Sequence, residues 1–144
     1  MRPTAQVWRD TKARDREQCA RCGTRYGLSH QHRRAVGMGG SKIPPLIEDS
    51  LVLCLGCNVR CEADLQMLAL VFGWKVRRWV GDPALAPVFY PHFGGWKRLT
   101  ESGEAINISA TEAEEMMRAL YGPQWDEWRS AVGAQTTGKG IAHG

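Results

Sequence analysis

Two Cys-x-x-Cys pairs set the terms on which this chain can fold. Cys19-Ala-Arg-Cys22 and Cys54-Leu-Gly-Cys57 are separated by 31 residues. Each pair puts two thiolates on one tight turn, and zinc takes four such sulfurs as a tetrahedron. A metal held there ties together both ends of the intervening segment. Its binding free energy, about 10–16 kcal/mol for structural zinc sites, becomes folding free energy. The competing readings are free buried thiols or a redox pair. A redox Cys-x-x-Cys stands alone at the start of a helix, and two pairs together argue against it. Cys61, the fifth cysteine, follows Cys57 by four residues. It is placed to compete as a ligand, but as a small apolar residue it is expected on the core face of a helix.

A chain of 144 residues predicts one domain, or a small domain with an extension. Met1-Arg2-Pro3-Thr4-Ala5-Gln6 runs into charged rather than apolar sequence, so no secretory leader is expected. No apolar run reaches the ~18 residues of a membrane span, so no membrane association is expected. The cysteines are therefore expected in a reducing, cytoplasmic setting, where paired Cys-x-x-Cys units serve metals more often than disulfides.

Four segments follow from the order of patterns. Residues 1–18 read as a basic arm whose residues 7–18 form a short surface helix. Residues 19–73 read as the zinc-bearing core. It comprises a strand over Leu28–His32, a loop over 35–49 marked by Gly37-Met38-Gly39-Gly40 and Pro44-Pro45, and a buried strand over Ser50–Leu55. A helix follows from about Asn58, a good N-cap, to Phe72. Cys61, Leu65, Leu68 and Phe72 supply its core face, and Gly73 ends it. Residues 74–132 read as a β-rich extension with strands at Trp74–Val80, Pro87–Tyr90, Gly95–Thr100 and Ala105–Ile108. A helix capped by Ser109 or Thr111 then runs to Tyr121, and a shorter helical piece spans Gln124–Ala131. Residues 133–144 read as a disordered tail. The fold class is α+β.

The formal charge is only +4, from 19 Lys+Arg against 15 Asp+Glu, but it is unevenly spread. Between Met1 and Arg34, eight arginines and one lysine stand against three acidic residues, Asp10, Asp15 and Glu17. A local excess of this kind suits a polyanion such as nucleic acid, although single surface cations are usually just solvated. Of the six tryptophans, Trp74, Trp79 and Trp96 are expected in core or sheet packing.

Between the two cysteine pairs lie His30 and His32, followed by Arg33-Arg34. The pattern Gln31-His32-Arg33-Arg34-x-x-Gly37-Met38-Gly39-Gly40-Ser41, then a Leu-Val-Leu-Cys strand, then Gly56-Cys57-x-x-x-x-Glu62, resembles the HNH endonucleases of the ββα-metal group. It is most similar to the small zinc-stapled versions encoded by phages and actinobacteria. The resemblance covers about residues 7–72, with a weaker match over 73–99 at Asp82-Pro83 and Pro87-Val88. It implies a ββα-metal core stapled by zinc, DNA as substrate, and a role in phage DNA packaging or recombination. Terminase or another DNA-processing protein is the implied partner. His32 matches the family's general base, and an imidazole accepts a proton near neutral pH. One divalent cation, Mg2+, Mn2+, Ni2+ or Zn2+, is implied at the active site.

The ligand positions depart from the family pattern. Gln31 stands where His or Asp precedes the base, and Asn58 where a His commonly follows the last zinc cysteine. Ser50 falls at the family's middle asparagine. Glu62, one helical turn after Asn58, and His30, on the strand face of His32, are the remaining candidate ligands. A neutral Gln/Asn pair alone holds a hard cation poorly. Arg33, Arg34 and Lys42 are expected at phosphates, with Arg14, Arg16 and Arg21 widening the footprint. A metal-dependent DNA endonuclease is thus the first expectation. A DNA-binding module that has kept the fold without the chemistry is the second. A protein-interaction domain using the sheet after Gly73 is the third.

Overall fold

The computed structural model describes residues 2–35 and 43–139. It is a mixed α+β structure with two small antiparallel sheets, of two and three strands, and five α-helices. Helix α1 (Ala5–Arg14) is capped by Thr4, whose hydroxyl accepts the Val7 N–H at 3.1 Å. The cysteine knuckle Cys19–Cys22 leads to β1 (Leu28–His32), which pairs with β2 (Ser50–Cys54) from Leu28 opposite Cys54 to His32 opposite Ser50. The second knuckle is the start of helix α2 (Leu55–Cys61), and Cys54 is its N-cap.

The helix expected from Asn58 to Phe72 is two helices. After α2 the chain turns through Glu62–Leu65 and restarts as α3 (Gln66–Val71). Apolar spacing continues across the break, so the pattern does not reveal it. Leu68 and Phe72 still reach the core. Gly73 adopts φ +77°, and a Cβ there would overlap the Pro87 carbonyl, so only glycine fits this turn.

The strand expected over Trp74–Val80 does not form. One parallel bridge links Val76 to Arg34, and the rest of the segment is irregular. Its carbonyls find scattered partners instead of a neighbouring strand: Gln31 Nε2 donates to Trp74 O, Val80 N to Arg77 O and Arg34 Nη1 to Val80 O. Strands β3 (Val88–Tyr90), β4 (Gly95–Leu99) and β5 (Ala105–Asn107) form the expected meander. Ser109 rather than Thr111 caps α4 (Ala110–Tyr121), accepting from Glu112 N at 3.0 Å. Helix α5 (Pro123–Lys139) runs beyond the expected stop at Ala131, with Trp125, Trp128 and Val132 buried along one stripe against α3 and α4. It therefore occupies part of the stretch expected to be a disordered tail; residues 140–144 of that tail lie outside the described residues.

Two apolar clusters hold these pieces. One joins the knuckles and hairpin to the meander through Leu51, Leu53, Trp74, Tyr90 and Leu99. The other lies under α3, α4 and α5 around Val71, Met117 and Trp125. The basic arm is not a surface appendage. The Arg14 side chain is 1% exposed and donates to Ile47 O and Ser50 O, while Asp15, fully buried, accepts from Val52 N and the Tyr90 hydroxyl. Those contacts tie α1 to the hairpin and the hairpin to β3. Among the described residues, no helix is long and apolar enough to cross a membrane.

Candidate metal centre and histidine site

The sulfurs of Cys19, Cys22, Cys54 and Cys57 all lie within 4.8 Å of one another. The Cys22 and Cys54 sulfurs are 3.8 Å apart. A tetrahedron with Zn–S bonds of about 2.3 Å has S···S edges of about 3.8 Å, so the quartet is compatible with a metal such as zinc. Each knuckle also turns an amide onto its first sulfur: Cys22 N–H points at Cys19 Sγ (3.5 Å) and Cys57 N–H at Cys54 Sγ (3.3 Å). Arg21 Nη1 donates to Cys57 Sγ at 3.4 Å. These donors favour thiolates.

Without a cation the charge is uneven. A hydrogen bond from Cys57 holds Cys19 down to about 4, and the same bond drives the Cys57 thiol up. A divalent metal removes that competition by binding all four deprotonated sulfurs. Cys61 stays outside the quartet. It is fully buried, and burial pushes its thiol up to about 12, as expected for a packing residue.

The period of two along β1 sends His30 and His32 to one face and Ser29 and Gln31 to the other. The two imidazoles meet edge to face, with centroids 4.6 Å apart. Ser50 Oγ donates to Leu46 O, so it must accept from His30 Nε2 at 2.7 Å. That fixes His30 as the Nε2–H tautomer. Burial, then the nearby His32 and Arg14, lowers its pKa to about 4, and the Trp8 ring closes over it at 5.8 Å. His32 ends the strand half-buried. Burial depresses its pKa as well, partly offset by Asp49, so it is a neutral base at pH 7.

The other face carries the remaining candidates. Asn58 Nδ2 donates to Ser29 Oγ (3.0 Å) and His30 O (3.3 Å). A carbonyl can only accept, so this amide orientation is forced. Gln31 is 2% exposed and its amide donates to Trp74 O at 3.4 Å. Glu62 is held by Lys75 at 2.6 Å. The donor set expected for a catalytic cation is thus divided between two strand faces, and its one carboxylate is already neutralised. As placed, these residues do not fit a hard divalent cation.

The expected phosphate contacts need larger corrections. Arg33 is fully buried and donates to Gly73 O, Glu48 O, Pro83 O and Ala86 O, so it cannot reach a phosphate. Arg14 is likewise spent inside. Arg34 pairs with Asp49 at 3.1 Å and bonds Val80 O and Gly81 O. Arg21 faces the cysteine quartet, and Arg16, exposed, lies over the Phe93 ring at 5.2 Å. Lys42 and the Gly37–Ser41 run lie outside the described residues. The sequence reading missed an exposed basic stretch at Arg77, Arg78 and Trp79, beside the buried Lys75. Its signal, cations interleaved with aromatics, is present in Trp74–Val80 but reads equally as a strand.

Comparison with protein-family models, with curated proteins and with solved structures finds no match.

Proposed function

We propose that this chain is a zinc-stapled, DNA-acting protein of the HNH type, in which His32 serves as general base for phosphodiester hydrolysis. The observation that carries this reading is a neutral, half-exposed imidazole at the end of a hairpin strand, beside a helix that docks on that strand through Asn58. His32 would take a proton from water as the water oxygen attacks phosphorus. The P–O bond to the 3′ oxygen then breaks and that oxygen takes a proton from solvent water, leaving a 5′ phosphate and a 3′ hydroxyl on the family pattern, while His32 gives its proton back to solvent. A zinc held by Cys19, Cys22, Cys54 and Cys57 would have no part in the reaction; it would fix the start of β1 against the start of α2. No step is assigned to a second cation, because the candidate ligands do not converge.

That same divergence favours a second reading, a DNA-binding module without chemistry. Gln31 bonded to Trp74 and Glu62 neutralised by Lys75 are stable structural roles for residues that hydrolysis would need elsewhere. Nicking of supercoiled plasmid, with Mg2+, Mn2+, Ni2+ or Zn2+ supplied in turn, separates the two. The nuclease reading expects nicked product from the native chain and a loss of about 10²–10⁴-fold in His32→Ala. Salt-sensitive DNA binding with no nicking under any ion leaves the binding module.

A further inference from the structure

Beside the end of β1 lies a groove of about 340 Å³ that the histidine site does not use. Leu70 and Val76, both buried, form its floor, and Gln66, Lys75, Arg78 and Trp79 stand around it. Its size matches a small ligand pocket or one nucleotide. Three of its wall residues are cationic, and they differ in what they are already doing. Lys75 neutralises Glu62. The Arg77 guanidinium lies over the Trp128 ring at 5.2 Å. Arg78 is exposed, and among the described residues its guanidinium has no hydrogen bond or ion pair.

Next to Arg78, Trp79 is 64% exposed, touching Tyr121 only edge to face with centroids 5.7 Å apart. An indole is costly to leave in water, and an exposed one beside an unengaged guanidinium has the two elements that hold an unpaired nucleotide: a stacking surface and a phosphate donor. The groove also reaches the histidine strand. Ala35 lines it, three residues after His32, a span of at most about 11 Å. That puts the groove's edge within a few nucleotide lengths of His32.

We infer that this groove holds an unpaired nucleotide flanking the cleavage or binding position, its base stacked on Trp79 and its phosphate on Arg78. The inference rests on the DNA-acting reading and adds a preference: DNA with a single-stranded flank binds better than a fully paired duplex.

The test uses the zinc-loaded full chain, a fluorescently labelled 15-nucleotide oligothymidine, and a labelled duplex of equal length, with binding followed by anisotropy. Trp79→Ala is expected to weaken single-strand binding roughly 5- to 100-fold, whereas Trp79→Phe, which keeps a ring, retains most of it. Arg78→Gln, at an exposed position that leaves the fold intact, is expected to weaken binding and flatten the slope of log affinity against log salt by about 0.7. Native-like binding by both Trp79→Ala and Arg78→Gln, in a chain that binds or nicks DNA, overturns the groove and leaves the DNA-acting reading standing. Failure of the native chain to bind either DNA at low salt overturns both. Weakened single-strand binding in the variants, with nicking that survives His32→Ala, supports the groove and removes His32 as the base.

Discussion

Arg33 shows why a residue type alone does not reveal its task. In sequence it follows the histidines and reads as a phosphate contact. In the fold it is fully buried, and its planar guanidinium donates to four carbonyls from three different stretches of chain. No other side chain supplies that many donors in one plane. Burial lowers its pKa to about 10, yet it remains charged at neutral pH. Arg33→Met leaves those carbonyls without donors and is expected to cost about 3 kcal/mol or more, read from chemical denaturation. Arg33→Lys, with its charge but without the fork, is expected to fall between the two. His30 makes a second prediction at this scale. Its folded pKa, about 4, lies below the ordinary value of 6.5, so the unfolded chain binds the proton more readily. Its contribution is therefore complete above pH 6.5 and is lost as pH falls towards 4. The groups facing it are His32, Arg14, Ser50 and Trp8. In His30→Gln, whose amide can still reach Ser50, denaturation midpoints should fall less steeply across that window than in the native chain.

At the scale of elements, legibility followed how local the determining contacts are. The hairpin strands, the meander and α4 were all readable, because alternation, turns and a Ser cap are written within a few residues. The break between α2 and α3 was not, since the apolar spacing runs through it. Nor was the irregular path of Trp74–Val80, whose end carbonyls are met by the Gln31 and Arg34 side chains more than 40 residues away in sequence. The candidate site divides the same way. The cysteine quartet was legible from spacing alone. The fates of Gln31 and Glu62 depended on Trp74 and Lys75, whose positions only the tertiary fold decides. Gly73 is the joint on which those positions hang. It turns the chain out of α3 with a positive φ while pressed against the Pro87 carbonyl. Gly73→Ala combines left-handed strain with a backbone clash. It is expected to destabilise by more than about 2 kcal/mol, and a melting curve on the purified variant checks this.

For the whole molecule the question is what a metal in the cysteine quartet would hold. The hairpin is two strands of five residues, too little to persist alone. It is gripped on one side by α1, through Arg14 and Asp15, and on another by the core beneath Trp74 and Tyr90. The cysteine quartet closes its open end, where β1 begins and β2 runs into α2. Losing the metal there leaves sulfurs as close as 3.8 Å that either repel as thiolates or retain protons in a space shaped for a cation. Unfolding should therefore begin at the knuckles and spread along β1 to the histidines, while α4 and α5, packed in a separate apolar cluster with α3, are affected last. One zinc per chain is expected by elemental analysis. A strong chelator, or Cys57→Ser, should erase slow amide exchange across β1, β2 and α2 first, with helical signal from α4 and α5 outlasting it. If exchange in the hairpin is unchanged by chelation, the knuckles are ornaments on a fold held by Arg14, Asp15 and Tyr90 alone.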